Sequence, residues 1–329
     1  MTDRERLAEI TNIYAFGVVL VVLGHAFPSM HIEGDPSVDI SYLMYKLVYS
    51  FHMPLFFFVS GFIFTHTRKG EIHYSSFILK KAKRLLIPYF FLNTVVFPLK
   101  VLISGHAQRS VGFNFTDYMK IFTNPPQATI MVLWFLPTLF MIFLVAPFLR
   151  KALPGRAAFL VTAVLLLINL LNPVKEIKFL YITGVAEYIL FFWLGCLFYH
   201  YRDRVKGAWP PVSAAVSFLL LLAIFLYRRK DPTFDLVRAL CGIWASYHFI
   251  VYYTKKGWKL LSPFDGYTYQ VFLLQWFPLV FLRVVMYEKL HLNFFLVMIL
   301  MIFGGLFVPI AMAKIIERYL SHFKLLIGM

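Results

Sequence analysis

Apolar residues run along this chain in blocks of roughly twenty, and charged residues collect between them. A helix rising ~1.5 Å per residue needs about 20 apolar residues to cross a ~30 Å hydrocarbon core. Ten blocks meet or approach that length: 10–27, 40–64, 77–104, 128–149, 156–171, 179–199, 211–227, 234–253, 267–287 and 292–316. Inside a bilayer each must be helical, because only helices and closed barrels satisfy every backbone N–H and C=O there. The pattern predicts an all-α, polytopic membrane helical bundle of about ten transmembrane helices, built as a single domain over residues 1–329. No fixed-period repeat, low-complexity tract or appended soluble domain interrupts it.

Composition agrees with that pattern. Hydrophobic residues make up 60% of the chain and charged residues 15%, against about 25% charged in a soluble domain. The net charge of +16 does not point to nucleic acid, because the basic residues sit between apolar runs, where they orient spans. With a cytoplasmic N-terminus and an even number of spans, most Lys and Arg fall on the cytoplasmic side. The loop 31–39 carries Glu33, Asp35 and Asp39 with no Lys or Arg, as an outer loop should. The run Arg228, Arg229, Lys230 breaks this rule, so either it faces an anionic ligand outside or the span count is wrong there. Arg4 and Arg6 before the first apolar run resemble a signal peptide without a cleavage site, which reads as a retained anchor. The expected location is the plasma membrane, multi-pass, with both termini cytoplasmic. Cys196 and Cys241 lie in apolar runs with no CxxC spacing and read as packing residues.

An ionisable group inside a span is costly and reads as functional by default. His25, near the end of the first block, is such a group. In the second block, Pro54 should kink the helix, and Ser60-Gly61 allows close backbone approach. Small residues packing a kink explain this as well as a channel lining does. The third block opens with Lys80, Lys81, Lys83 and Arg84 before Leu85-Leu86-Ile87-Pro88-Tyr89. These cations anchor the span against anionic lipid and also suit a phosphorylated cofactor.

His25, the Phe51–Phe62 segment, the Lys80–Tyr89 run, Leu133-Trp134-Phe135-Leu136 and the Tyr267–Pro278 segment follow one another in a particular order. In that order the chain resembles acyltransferase family 3, integral-membrane enzymes that O-acylate surface glycans and some small molecules. The resemblance covers nearly the whole chain. It implies an acyl-CoA donor, usually acetyl-CoA, drawn from the cytoplasm, a carbohydrate acceptor, and acyl-transfer chemistry at His25. Two positions depart from the family pattern. Tyr14 stands where an Arg is frequent, eleven residues before His25, and Gln275 ends a run that often ends in His. They suggest a different donor or acceptor, or lost activity.

A neutral imidazole can take the proton of a sugar hydroxyl as it attacks a thioester, and the ordinary pKa of His, about 6.5, suits that task. The developing oxyanion needs donors, for which His52, Tyr14 and Gln275 are candidates. At ~1.5 Å per residue, His25 lies about 3–5 Å inside its span and His52 roughly 15–18 Å down the next. His52 therefore reads as a donor-path residue or as a histidine bonded to a backbone carbonyl. Glu187 and Trp134 are substrate-site candidates, and Lys46 reads as a snorkelling side chain. His31, His66, His73, His106, His200, His291 and His322 show no metal-ligand spacing, so no metal is expected. A transporter or flippase of glycans or lipids is the alternative from another class, although no inverted repeat or paired broken helices are visible in the sequence. A relative that only binds ligand is the third reading.

Overall fold

The computed structural model describes residues 3–26, 36–68, 70–104, 110–177, 179–202, 209–227 and 231–329. His31, His106 and the Arg228, Arg229, Lys230 run lie outside the described residues. The chain is helical: α1 (Asp3–Ala26), α2 (Pro36–Tyr49), α3 (His52–Thr67), α4 (Tyr74–Leu102), α5 (Phe115–Thr123), α6 (Phe135–Lys151), α7 (Ala157–Leu171), α8 (Ile182–Tyr201), α9 (Pro210–Leu226), α10 (Pro232–Lys255), α11 (Thr268–Leu274), α12 (Trp276–Leu282) and α13 (Phe294–Tyr319). Among the described residues, 7 helices are long and apolar enough to cross a membrane, or 8 with the bent pair Thr268–Leu274 and Trp276–Lys289. Helices α7 and α9 are apolar but shorter. The polytopic bundle is as expected, whereas the two short helices keep the count of full spans below ten.

The helices form two compact units. The first comprises Met1–Lys69, Ala152–Leu171 and Tyr188–Thr268. Here α1 and α10 run antiparallel: Asn12 Nδ2 donates to Thr254 Oγ1 at 2.9 Å, and Phe16 meets Phe249 at 5.4 Å between ring centroids. Trp193 Nε1 ties α8 to Thr162 of α7, and Trp244 Nε1 ties α10 to Ser213 of α9. The closest approach is between α3 and α8. A Cβ on Gly61 would stand 1.9 Å from the Phe192 carbonyl oxygen, and one on Gly195 1.9 Å from that of Phe58. Small residues let membrane helices touch backbone to backbone, and these two glycines do so from both sides.

The second unit comprises Gly70–Lys151, Asn172–Glu187 and Tyr269–Met329. Tyr89 Oη donates to the Ile121 carbonyl at 2.7 Å, and Asn93 Oδ1 accepts from Ile130 N–H at 2.7 Å, so α4 holds the connection that precedes α6. That connection contains α5. Asn114 caps the helix by accepting from Asp117 N–H at 2.8 Å. Asp117 in turn binds Lys120 Nζ and Gly112 N–H, which hold its carboxyl at about 2. Asn124-Pro125 then ends the helix.

Each unit contains a helix broken by the same device. Proline has no N–H and its ring crowds the carbonyl four residues back. Pro54 acts on Ser50, where α2 gives way to α3, and Pro278 acts on Leu274, where α11 gives way to α12 at 45°. In each case a polar side chain turns back to a carbonyl. His52 Nδ1 donates to Val48 O at 3.0 Å, and Gln275 Nε2 to Phe272 O at 3.3 Å. The sequence showed no paired broken helices; among the described residues one pair is bent, Thr268–Leu274 with Trp276–Lys289, while Tyr42–Thr67 passes as one span with an irregular turn at Ser50–Phe51.

Candidate active site

The break between α2 and α3 receives the last turn of α1, and three polar rings meet there. His25 Nδ1 is 2.8 Å from Tyr49 Oη, with the ring centroids 5.9 Å apart. Tyr49 packs edge-on against His52 at 4.5 Å. Both imidazoles therefore contact the same tyrosine, which had not been singled out in the sequence. Gly24 makes this possible. A Cβ there would come within 2.9 Å of the Tyr49 ring, so glycine leaves the space in which the phenol reaches the next residue, His25.

The hydrogen bonds constrain the protons. A carbonyl only accepts, so His52 carries its neutral proton on Nδ1, facing Val48. Neutral His52 then has no N–H left for an oxyanion. Tyr49 is hydrogen-bonded to Tyr45 as well as to His25. With its single proton given to Tyr45, its oxygen accepts from His25 Nδ1–H. His25 Nδ1 is thereby engaged with Tyr49, and Nε2 is the second ring nitrogen.

The other sequence candidates separate into groups. Tyr14 lies three turns along α1 from His25 and meets Phe56 edge-on at 6.2 Å. Ser60 is buried beside Gly61, and its hydroxyl makes no hydrogen bond among the described residues. Gly61 itself is committed to the α3–α8 contact. Within the second unit, Lys80, Lys83 and Arg84 are exposed, while Lys81 Nζ sits 3.9 Å above the Phe143 ring. Arg84 lies over Tyr269 at 5.4 Å, and Tyr269 Oη donates to the Arg84 carbonyl. Trp134 meets Tyr181 edge-on at 5.2 Å, and Glu187 accepts from Asn172 Nδ2 at 3.3 Å. Tyr181 and Asn172 both have positive φ. Glycine at 184 leaves room for the Tyr181 ring, since a Cβ there would meet it at 2.3 Å. Gln275 is fully buried at the second break. No group of three or more His, Cys, Asp or Glu that could hold a metal ion occurs among the described residues.

A buried cation of the first unit was also missed in the sequence. Arg238 of α10 is 7% exposed and bonds Asp235 Oδ1 at 2.6 Å. Because α1 and α10 are antiparallel, Arg238 lies toward the His25 end of α1. Gly242, one turn along α10, would place a Cβ 2.2 Å from Phe51, beside the break.

The comparisons with known proteins give the family. No curated protein and no solved structure matches the chain. The family model for an acyltransferase domain matches residues 8–314, which include α1, the break and both groups of candidates. This chain therefore belongs to acyltransferase family 3 and is a membrane acyltransferase.

Proposed function

We propose that the protein moves an acetyl or related acyl group from cytoplasmic acyl-CoA to a hydroxyl of a cell-surface polysaccharide or its precursor, with His25 as general base. The observation that carries this reading is the His25–Tyr49 hydrogen bond, which presents Nε2 with its partner nitrogen already fixed. The acceptor hydroxyl gives its proton to His25 Nε2 as its oxygen bonds to the thioester carbon. The C–S bond then breaks, and the imidazolium returns the proton to the departing thiolate, leaving an ester and free CoA. Tyr49 acts through His25: it fixes the ring and its tautomer. Replacing Tyr49 with Phe keeps the ring against Gly24 and removes only the oxygen. The loss of the hydrogen bond to His25, ~1–1.5 kcal/mol, lowers kcat by roughly tenfold with the donor KM unchanged, measured as CoA release from acetyl-CoA.

The exposed cations Lys80, Lys83 and Arg84, with Lys81 beside them, hold the phosphates of the donor in this reading. Lys80, Lys81, Lys83 and Arg84 replaced together by Gln should weaken acetyl-CoA binding by at least about tenfold, since charge-assisted bonds to phosphate are among the stronger ones. Equilibrium binding to the purified protein checks this; unchanged affinity would leave the run as a topology signal only. The membrane is the plasma membrane, both termini are cytoplasmic, and anionic lipid meets the same basic side. The bent helix pair Thr268–Leu274 and Trp276–Lys289 favours a second reading, substrate translocation, because broken helices mark transport sites in other folds. Movement of a glycan across proteoliposomes that hold no acyl donor would support it.

A further inference from the structure

We propose that the first unit holds an anionic phospholipid, with one acyl chain filling the cavity between α3, α8, α9 and α10 and the phosphate at Arg202. The cavity has a volume of about 520 Å³. Leu194, Leu197, Phe198 and Tyr201 line it from α8 at i, i+3, i+4 and i+7, which is one face of that helix. Cys241 and Trp244 face it from α10, Ser217 from α9 and Phe58 from α3. Protein interiors leave few voids larger than a water molecule, so a space of this size among membrane helices calls for an occupant.

The walls select hydrocarbon. Their hydroxyls are committed: Ser217 Oγ accepts from Trp244 Nε1 at 2.9 Å, and Tyr201 Oη donates to the Leu153 carbonyl at 2.9 Å. That leaves the Cys241 thiol, a weak donor. A hydroxyl-rich or charged ligand would lose its water here without replacement bonds, whereas an acyl chain needs none. Positive charge enters at one end. α8 ends at Tyr201 and α9 begins at Pro210, so these two ends lie together. α9 and α10 run antiparallel, with Trp244 bonded to Ser213 and Arg238 to Ile224, so α10 ends on that side as well. Arg202, next after Tyr201, and Lys255, in the last turn of α10, bring two cations to the end that Tyr201 marks. At the other end Arg238 is paired with Asp235. A guanidinium carries five N–H donors, so Arg202 can serve a phosphate while bonded to the Tyr199 carbonyl. The competing explanation is ordinary exchangeable lipid. A chain in this cavity touches four helices at once, whereas one on the exposed face of α13 touches a single helix.

Photolabelling of the full chain in detergent, with a phosphatidylglycerol carrying a diazirine in one acyl chain, tests the site. Labelling should saturate at one lipid per chain and map to residues 194–201 and 240–244. Arg202→Gln combined with Lys255→Gln should weaken it by roughly tenfold in affinity, since charge-assisted bonds to phosphate are lost. Leu197→Trp combined with Cys241→Trp fills the cavity and should abolish saturable labelling. Leu226→Trp, exposed on α9 outside the cavity, should leave it unchanged. The wild-type map decides by itself should the filled variant fail to fold. Label spread over the exposed faces of α7 and α13, rising without saturation, overturns the site. Equal affinity for the methyl ester of the same diazirine-bearing acyl chain, which has no phosphate, overturns the phospholipid assignment. No thioester is present, so the outcome is independent of His25 acting as base.

Discussion

His25→Ala should abolish acyl transfer, with the rate of CoA release falling by roughly 10²–10⁴-fold, the range that a positioned acid–base group contributes. The size of the effect follows from the geometry. The nitrogen facing Tyr49 is engaged by that hydrogen bond, so the proposed mechanism assigns the proton transfer to Nε2. His52 is the less accessible imidazole: it is buried at the first turn of α3, whereas His25 is half-buried. Binding of acetyl-CoA to His25→Ala should survive, which separates lost chemistry from lost structure. Initial rates and equilibrium binding on the purified variant check both parts. A variant that turns over like the wild type would remove His25 from the mechanism.

The second large effect is on stability. Gly195→Ala and Gly61→Ala each place a Cβ 1.9 Å from a backbone carbonyl oxygen of the facing helix. No side-chain rotation relieves that contact, because the obstacle is backbone on both sides. Overpacking a tight interior costs about 1–3 kcal/mol and more where nothing can move. Either substitution should therefore lower the melting temperature in detergent by several degrees or prevent isolation of folded protein. Gly70→Ala is the matched comparison, since a Cβ there meets nothing within 4 Å, and it should melt like the wild type. Equal melting of all three would show that α3 and α8 do not touch through these glycines.

The membrane helices were legible because the bilayer forces apolar length and helical hydrogen bonding into the same blocks. His25 was legible for a related reason, as an ionisable side chain in an apolar run. Tyr49 was not. In a chain with 19 Tyr and 37 Phe, one more aromatic in a span carries no signal. Its contact with His25 depends on the break before α3, and that break lies four residues upstream of the proline a reader of the sequence notices. Two local clues were present: the glycine before His25, and the i, i+3, i+7 spacing of Tyr42, Tyr45 and Tyr49. Lys46, read as a snorkelling cation, lies over the Tyr42 ring. Ser60-Gly61 was legible as a close approach, but its partner, Gly195, lies 134 residues from Gly61, and only the fold brings the two together. The carbonyl bond of His52 was one of the two readings its position allowed, and it is the one observed.

The most direct measurement of the central claim is stoichiometry in the wild-type protein. The purified chain is mixed with acetyl-CoA labelled in the acetyl group and methyl β-glucopyranoside, and both free CoA thiol and labelled sugar ester are followed over time. Direct transfer assisted by His25 requires one thiol for each ester formed, appearing together. Thiol release without any ester, or neither product while the sugar itself crosses a proteoliposome membrane, would contradict it.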